Sequence, residues 1–285
     1  MMKITAVVVF YKQEIERSKT FASLKDTLKS RTESPAELEV ILYDNGPDKQ
    51  DFEAGRYWGA NFTYIHDPRN LGIATAYNFA WAQAGENGSE WLLLLDHDTE
   101  LTDEYFDHIL RLGSPIDSVA AIVPQIKSNG VGISPVFSSQ LRPLQGERPG
   151  TGLQETPVMA INSGALIKLS FLNEIGGFNN GFALDYLDHW LFNEVYKRGQ
   201  KVWVMDVILE HDLSVMDYSQ VSINRYQSIL DSEIRFYKEH KPELYRPYKM
   251  QLAKRFLKQL LLVRNKQIAG YTFKRLISME KGHSK

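Results

Sequence analysis

Asp96 and Asp98 stand one residue apart, directly after the apolar run Trp91-Leu92-Leu93-Leu94-Leu95. Two oxygen donors at i and i+2 can serve one hard divalent cation, directly or through water. The same residues, with Thr99 and Glu100, could instead cap a following helix. Asp44-Asn45-Gly46 is either a turn or a crevice carboxylate that accepts a hydrogen bond from a nucleobase or sugar. In Arg69 to Asn78 (RNLGIATAYN) small residues open a helix, where free N–H groups and the helix dipole favour phosphate. Close helix packing on a sheet is the other use of those residues. Asp185 and Asp188 are three apart and would share a face of a helix, although acidic residues are common in any first turn. His211, between Glu210 and Asp212, is either a structural histidine or a ligand.

These residues need elements to hold them. Ile4–Phe10, Leu38–Tyr43, Phe62–Ile65 and Trp91–Leu95 are strand-sized apolar runs, most of them rich in Val, Ile or aromatics. Helical patterns follow at Thr20–Lys29 and Ala74–Ala84. Alternating strands and helices predict βαβ units and a parallel sheet. In such sheets ligands bind beyond the carboxyl ends of the strands, where Asp44 and Asp96-His97-Asp98 would stand. Residues 113–160 are rich in Ser, Pro, Gly and Gln and read as a loop-rich insertion with short strands, Ala120–Pro124 among them. Ala160–Leu169 reads as a strand, with a helix starting at Ser170. Phe182–Tyr196 reads as a helix ending at Gly199, and Val202–Leu209 as a last strand. From Asn224 onward the pattern is helical.

Composition narrows the classes. The chain has 285 residues, 43% hydrophobic and 24% charged, which is ordinary for a globular protein. There is no cysteine, so neither a disulfide framework nor a thiolate site exists. A net charge of −2 gives no electrostatic case for nucleic-acid binding. The charge is nevertheless uneven. Ten of the 33 basic residues, but one of the 35 acidic ones, lie in Lys249–Lys285. Apolar residues such as Leu252, Phe256, Leu260 and Phe273 interleave with them. Such a segment can meet anionic lipid as a peripheral element, pack on its own protein, or form a homodimer interface. The opening MMKITAVVVFYKQE has too short an apolar core for a signal peptide and reads as a buried strand. Dinucleotide-binding glycine fingerprints, P-loops and Gly-x-Ser-x-Gly elbows are all absent from the sequence.

Eight segments occur in a recognisable order: Val7–Tyr11, Tyr43–Gly46, Asn70–Asn78, Leu94–Asp98, Asn162–Ala165, Gly176–Phe178, Asp185–Asp188 and His211–Ser214. Together they resemble the family 2 inverting glycosyltransferases of the GT-A fold, and most closely a rhamnosyltransferase-like branch. The resemblance spans about residues 3–215. It implies an α/β fold with a Rossmann-like, mostly parallel central sheet flanked by helices. It also implies a nucleotide-sugar-binding and catalytic domain over residues 1–215 and a basic helical extension over 216–285.

The resemblance further implies roles. Phe10 and Tyr11 would line the nucleobase pocket, and Asp44 would bind the base. Asn70, Gly72 and Asn78 would shape the donor site. Asp96 would contact ribose or a metal-bound water. Asp98 and His211 would hold Mg2+ or Mn2+. Asp188 would be the general base, with Asp185 and Trp190 on the acceptor side. One departure stands out: the family segment continues with an acidic residue after the base, whereas His189 follows Asp188 here. The implied reaction moves rhamnose or another hexose from a nucleoside diphosphate donor, dTDP-rhamnose or a UDP-sugar, to a glycan or lipid-linked acceptor. Its setting would be bacterial surface polysaccharide synthesis, in the cytoplasm or at the inner face of the membrane. The alternatives are a sugar nucleotidyltransferase and an inactive sugar-binding or scaffold module.

Overall fold

The structure, a computed structural model, describes residues 3–30, 38–53, 55, 61–111, 117–139, 141, 147–211 and 222–281. By packing, the chain divides into two units, Met1–Asp212 and Leu213–Lys285. The expected 215/216 boundary, Asp212 and Ser214 lie outside the described residues.

In the first unit, β1 (Ile4–Phe10), β2 (Leu38–Asp44), β3 (Asn61–His66) and β4 (Trp91–Asp96) pair in parallel in the order β3-β2-β1-β4. Every residue of β1 is buried, as a central strand covered on both faces requires. α1 (Lys19–Ser30) and α2 (Ile73–Glu86) make the crossovers. α2 buries Ala74, Ala76, Ala80 and Ala84, small side chains that let it lie close to β1 and β4.

The far half of the sheet is mixed. β5 (Val119–Ser128), with β6 (Val131–Ser134) on its flank, follows α3 (Asp103–Arg111). β7 (Val136–Phe137) and β9 (Val158–Met159) pair apart from the main sheet. β10 (Ala165–Lys168) runs antiparallel between β4 and β5 and leads into α4 (Leu169–Ile175). β11 (Lys201–Glu210) follows α5 (Leu187–Lys197), pairs in parallel with β5, and carries β8 (Gly152–Gln154) on its outer edge. Because β10 is antiparallel to both neighbours, its start and the ends of β4, β5 and β11 share one edge of the sheet. Register brings β2 to the same edge: Asp44 pairs with Phe10, and Asp96 with Val9.

Two expectations fail here. Ala160–Leu169 is not one strand, because Asn162-Ser163-Gly164 interrupts it with a turn in which Gly164 takes φ +78°. A Cβ on Gly164 would stand 3.0 Å from Pro124. Nor is Phe182–Tyr196 one helix: a short 3-10 turn ends at Phe182, and α5 starts only at Leu187.

The second unit contains α6 (Ile223–Glu239), α7 (Pro242–Leu262) and α8 (Lys266–Lys281). A buried polar triad joins the three. The Gln259 amide donates to the Tyr226 hydroxyl at 2.8 Å, and the Thr272 hydroxyl lies 2.6 Å from Tyr226 and donates to Gln259 at 2.8 Å. Arg255 forms a bidentate pair with the buried Glu233 at 2.6 and 2.7 Å. No helix among the described residues is long and apolar enough to cross a membrane.

Candidate active site

Asp96 is the last residue of β4, and Asp98 lies in the turn after it. Asp98 caps no helix, since α3 begins at Asp103 and Thr102 accepts its first-turn bond from the Tyr105 N–H. The turn is instead anchored from α1. The Thr20 hydroxyl donates to the Asp96 and Thr99 carbonyls at 2.5 and 2.8 Å and accepts from the Thr99 N–H at 2.9 Å. The Ser18 hydroxyl donates to the His97 carbonyl at 2.7 Å. His211 arrives from the end of β11, bridged to Thr99, with its Nδ1 3.1 Å from the Thr99 hydroxyl.

Potential ligand atoms of Asp96, Asp98 and His211 all lie within 4.8 Å of one another. His211 Nδ1 is 3.5 Å from Asp98 Oδ1, within ion-pair range but not hydrogen-bonded. Asp98 Oδ1 is buried with no hydrogen-bond partner. A buried carboxylate oxygen without a donor is costly, and a cation would satisfy it. Two carboxylates and an imidazole suit Mg2+ or Mn2+, so the residues fit the expected ion. Burial raises the Asp96 carboxyl above the usual range, opposed by a hydrogen bond from Ser163 and by the nearby His211. The Ser163 contact was not foreseen. In the sequence Ser163 stands inside the segment Asn162–Ala165, and the turn Asn162-Ser163-Gly164 places its hydroxyl beside the end of β4.

Asp188 occupies the first turn of α5. Tyr186 sits before it at φ +65°, so the chain turns sharply there, and Asp185 lies outside the helix rather than sharing its face. Asp188 Oδ1 accepts from the His189 N–H at 2.8 Å and lies 2.9 Å from His189 Nδ1. The His189 ring stacks on Tyr186, with centroids 4.3 Å apart. Where the family pattern has an acidic residue, this chain therefore has an imidazole that fixes Asp188 Oδ1. Tyr77 of α2 is wholly buried. Its hydroxyl is fully buried without a hydrogen-bond partner, and burial pushes its pKa up, helped by the charges of Asp96 and Asp188.

Other expected residues are used differently. At the α2 N-terminus the Ala183 carbonyl takes the Ala74 N–H at 3.1 Å. Gly72 has φ +91°, and a Cβ there would lie 2.3 Å from the same carbonyl. What approaches this glycine is a segment of the protein itself. Asn78 clamps Phe178, accepting from its N–H at 2.8 Å and donating to its carbonyl at 2.9 Å. Asn70 takes φ +48° in the turn before α2. These residues shape the site by holding loops.

Asp44 is wholly buried, and three donors hold its carboxylate: the Gly46 N–H at 2.8 Å, the Gln50 amide at 3.0 Å and the Tyr64 hydroxyl at 2.9 Å. It builds the turn after β2 and does not join the cation cluster. Phe10 is core, while Tyr11 is exposed beyond the strand end. Trp190 is buried and offers no open face to an acceptor. Beside them Asp67 accepts from Tyr43 and doubly from Arg69, each at 2.7 Å. The Arg69 bonds hold its carboxyl well below the usual range, and burial pushes the Tyr43 hydroxyl up to about 12.

Residues 5–176 match the family model described as Glycosyl transferase family 2. The protein belongs to this family. Its sheet and helices form the expected GT-A arrangement. Among solved structures, this family 2 chain is similar to the mannosyltransferase PcManGT from Pyrobaculum calidifontis in complex with GDP-Man and Mn2+. That likeness has a TM-score of 0.57 at 14% identity, over 99% of this chain and 76% of that one. It is also similar to S. aureus TarS 1-349 in complex with UDP-GlcNAc, with a TM-score of 0.56 at 14% identity over 97% and 81% of the two chains. Against S. aureus TarS the TM-score is 0.53 at 17% identity, and the chain spans 45% of that protein's length. At these identities the likeness is one of fold. No curated protein matches the sequence significantly.

Proposed function

We propose that this protein is an inverting, divalent-cation-dependent hexosyltransferase that uses a nucleoside diphosphate sugar. In our reading the sugar is rhamnose from dTDP-rhamnose, with a UDP-hexose as the other donor. The acceptor is a hydroxyl of a glycan or lipid-linked intermediate in bacterial surface polysaccharide synthesis, and the reaction belongs to the cytoplasmic side. The observation that carries the reading is the clustering of ligand atoms of Asp96, Asp98 and His211 within 4.8 Å of one another.

Asp96, Asp98 and His211 would hold the ion. Its chemistry when bound is to neutralise charge on the leaving diphosphate. The remaining work falls to the chain. His189 fixes Asp188 Oδ1, leaving Oδ2 to accept the acceptor's proton. As the acceptor oxygen bonds to the anomeric carbon, the bond from that carbon to the diphosphate oxygen breaks, and the proton passes to Asp188. With one base and no enzyme nucleophile, a single displacement inverts the anomeric centre. Ser163 holds Asp96 in place, and Thr20 and Ser18 hold the turn that carries Asp98.

General-base catalysis contributes about 10² to 10⁴ in rate. Asp188→Asn should therefore bind donor as wild type does and turn over at least about a hundredfold more slowly. Turnover is read as free nucleoside diphosphate. Wild-type turnover in this variant would refute the assignment of the base, and release of pyrophosphate would refute glycosyl transfer itself.

A further inference from the structure

The unit Leu213–Lys285 has a face that its own packing leaves uncovered. α7 buries Tyr245, Tyr248, Leu252 and Gln259. At 100° per residue these four fall in one arc. The opposite arc carries Met250, Leu257 and Leu261, which are 66%, 59% and 82% exposed. Lys254 and Lys258 stand exposed along its flank. α8 repeats the arrangement: Ile268, Thr272 and Met279 are buried, while Phe273 and Ile277 are exposed with Lys266 and Lys274 beside them. The Phe256 and Phe273 rings stack at 5.3 Å, which joins α7 to α8. Among the described residues, seven of the twelve strongly exposed large apolar side chains lie on these two helices. Isolated exposed leucines need no explanation, whereas a clustered row marks an interaction surface.

Charge selects the occupant. Lys249–Lys285 holds ten basic residues and one acidic residue. A second copy would meet this face with itself, setting lysines against lysines. An anionic lipid surface complements both halves of the pattern: phosphates for the lysines and the acyl boundary for the leucines. We propose that the outward face of α7 and α8 docks on an anionic bilayer. Leu257, Leu261 and Phe273 enter the boundary between headgroups and acyl chains, and Lys254, Lys258, Lys266 and Lys274 meet lipid phosphates. Neither helix is apolar enough to span, so the attachment is peripheral. This inference is independent of glycosyl transfer, because vesicle binding needs neither donor nor turnover.

The test is co-sedimentation of the full chain with phosphatidylcholine vesicles, with and without about 30% phosphatidylglycerol. Pelleting should rise about tenfold on the anionic vesicles and fall again at high salt. Leu257→Asp with Leu261→Asp should abolish it, and Lys254→Glu with Lys258→Glu should remove the anionic preference. Both pairs should melt as wild type, since the altered side chains are exposed. The wild-type comparison decides the matter even if a variant fails to fold. Equal pelleting on both vesicles, or none on either, overturns the proposal. So does a two-chain mass by light scattering that the leucine variant reduces to one chain without any vesicle binding, because that assigns the face to a second copy.

Discussion

Gly72→Ala should damage the site through a segment far along the chain. Gly72 has φ +91° and ψ 177°, a region open essentially to glycine alone. Forcing alanine there costs about 1–3 kcal/mol. The new Cβ would also stand 2.3 Å from the Ala183 carbonyl oxygen, and relief requires a movement of roughly 1 Å. That movement weakens the hydrogen bond from the Ala74 N–H, worth about 1 kcal/mol. The combined loss of about 3 kcal/mol should lower the melting temperature by roughly 6–12 °C. Ala183 lies five residues before Asp188, so the displacement reaches the base, and an error of about 1 Å can cost about a hundredfold in turnover. Gly85→Ala is the matched control. It lies in the same helix, a Cβ there meets nothing within 4 Å, and it should be neutral or stabilising by up to about 1 kcal/mol. Thermal melts and turnover below the melting range give both readouts. If Gly72→Ala melts and turns over like Gly85→Ala, Ala183 does not seat against this glycine and the reasoning is wrong.

His189→Phe keeps a ring against Tyr186 and removes the contact to Asp188 Oδ1; turnover should fall about tenfold with donor KM unchanged, and a wild-type kcat would show that the imidazole does not position the base. Arg69→Ala removes the cation that depresses the Asp67 carboxyl. A depressed carboxyl contributes stability that is present above its unfolded pKa of about 3.9 and lost as pH falls through the folded value. The variant should therefore melt below wild type at neutral pH, by a margin that the exposure of Arg69 keeps small, and the gap should close in acid. A difference in melting temperature that does not change with pH would refute this account of the pair.

The parallel half of the sheet was legible because a buried strand needs a continuous apolar run and a covering helix needs a 3.6-residue period. β1 matches its expected span, and β2, β3, β4, α1 and α2 differ from theirs by a residue or two. The misreadings share one cause, a partner distant in sequence or a backbone angle with no pattern. The apolar spacing of Phe182–Tyr196 looks helical, but the left-handed Tyr186 delays α5 and removes Asp185 from its face. The small residues after Asn70 also serve close packing, since the Ala183 carbonyl seats against Gly72 and takes the Ala74 N–H. Asp44 had the composition of a turn and also the place of a ligand, and three protein donors hold its carboxylate in the turn after β2. Asp96, Asp98 and His211 were legible because strand ends on one edge must converge; Ser163 stood in the segment Asn162–Ala165 without a stated role, and Thr20, which holds the turn, carried no distinctive spacing.

The central claim is that the three-residue cation cluster and Asp188 serve a single nucleotide-sugar site. Its most direct test is calorimetric titration of the nucleoside diphosphate sugar, with and without Mn2+, into wild type, Asp98→Ala and Asp188→Asn. Donor affinity should require Mn2+ in wild type, collapse in Asp98→Ala and persist in Asp188→Asn, which retains binding while losing turnover. Unchanged Mn2+-dependent affinity in Asp98→Ala would contradict the account.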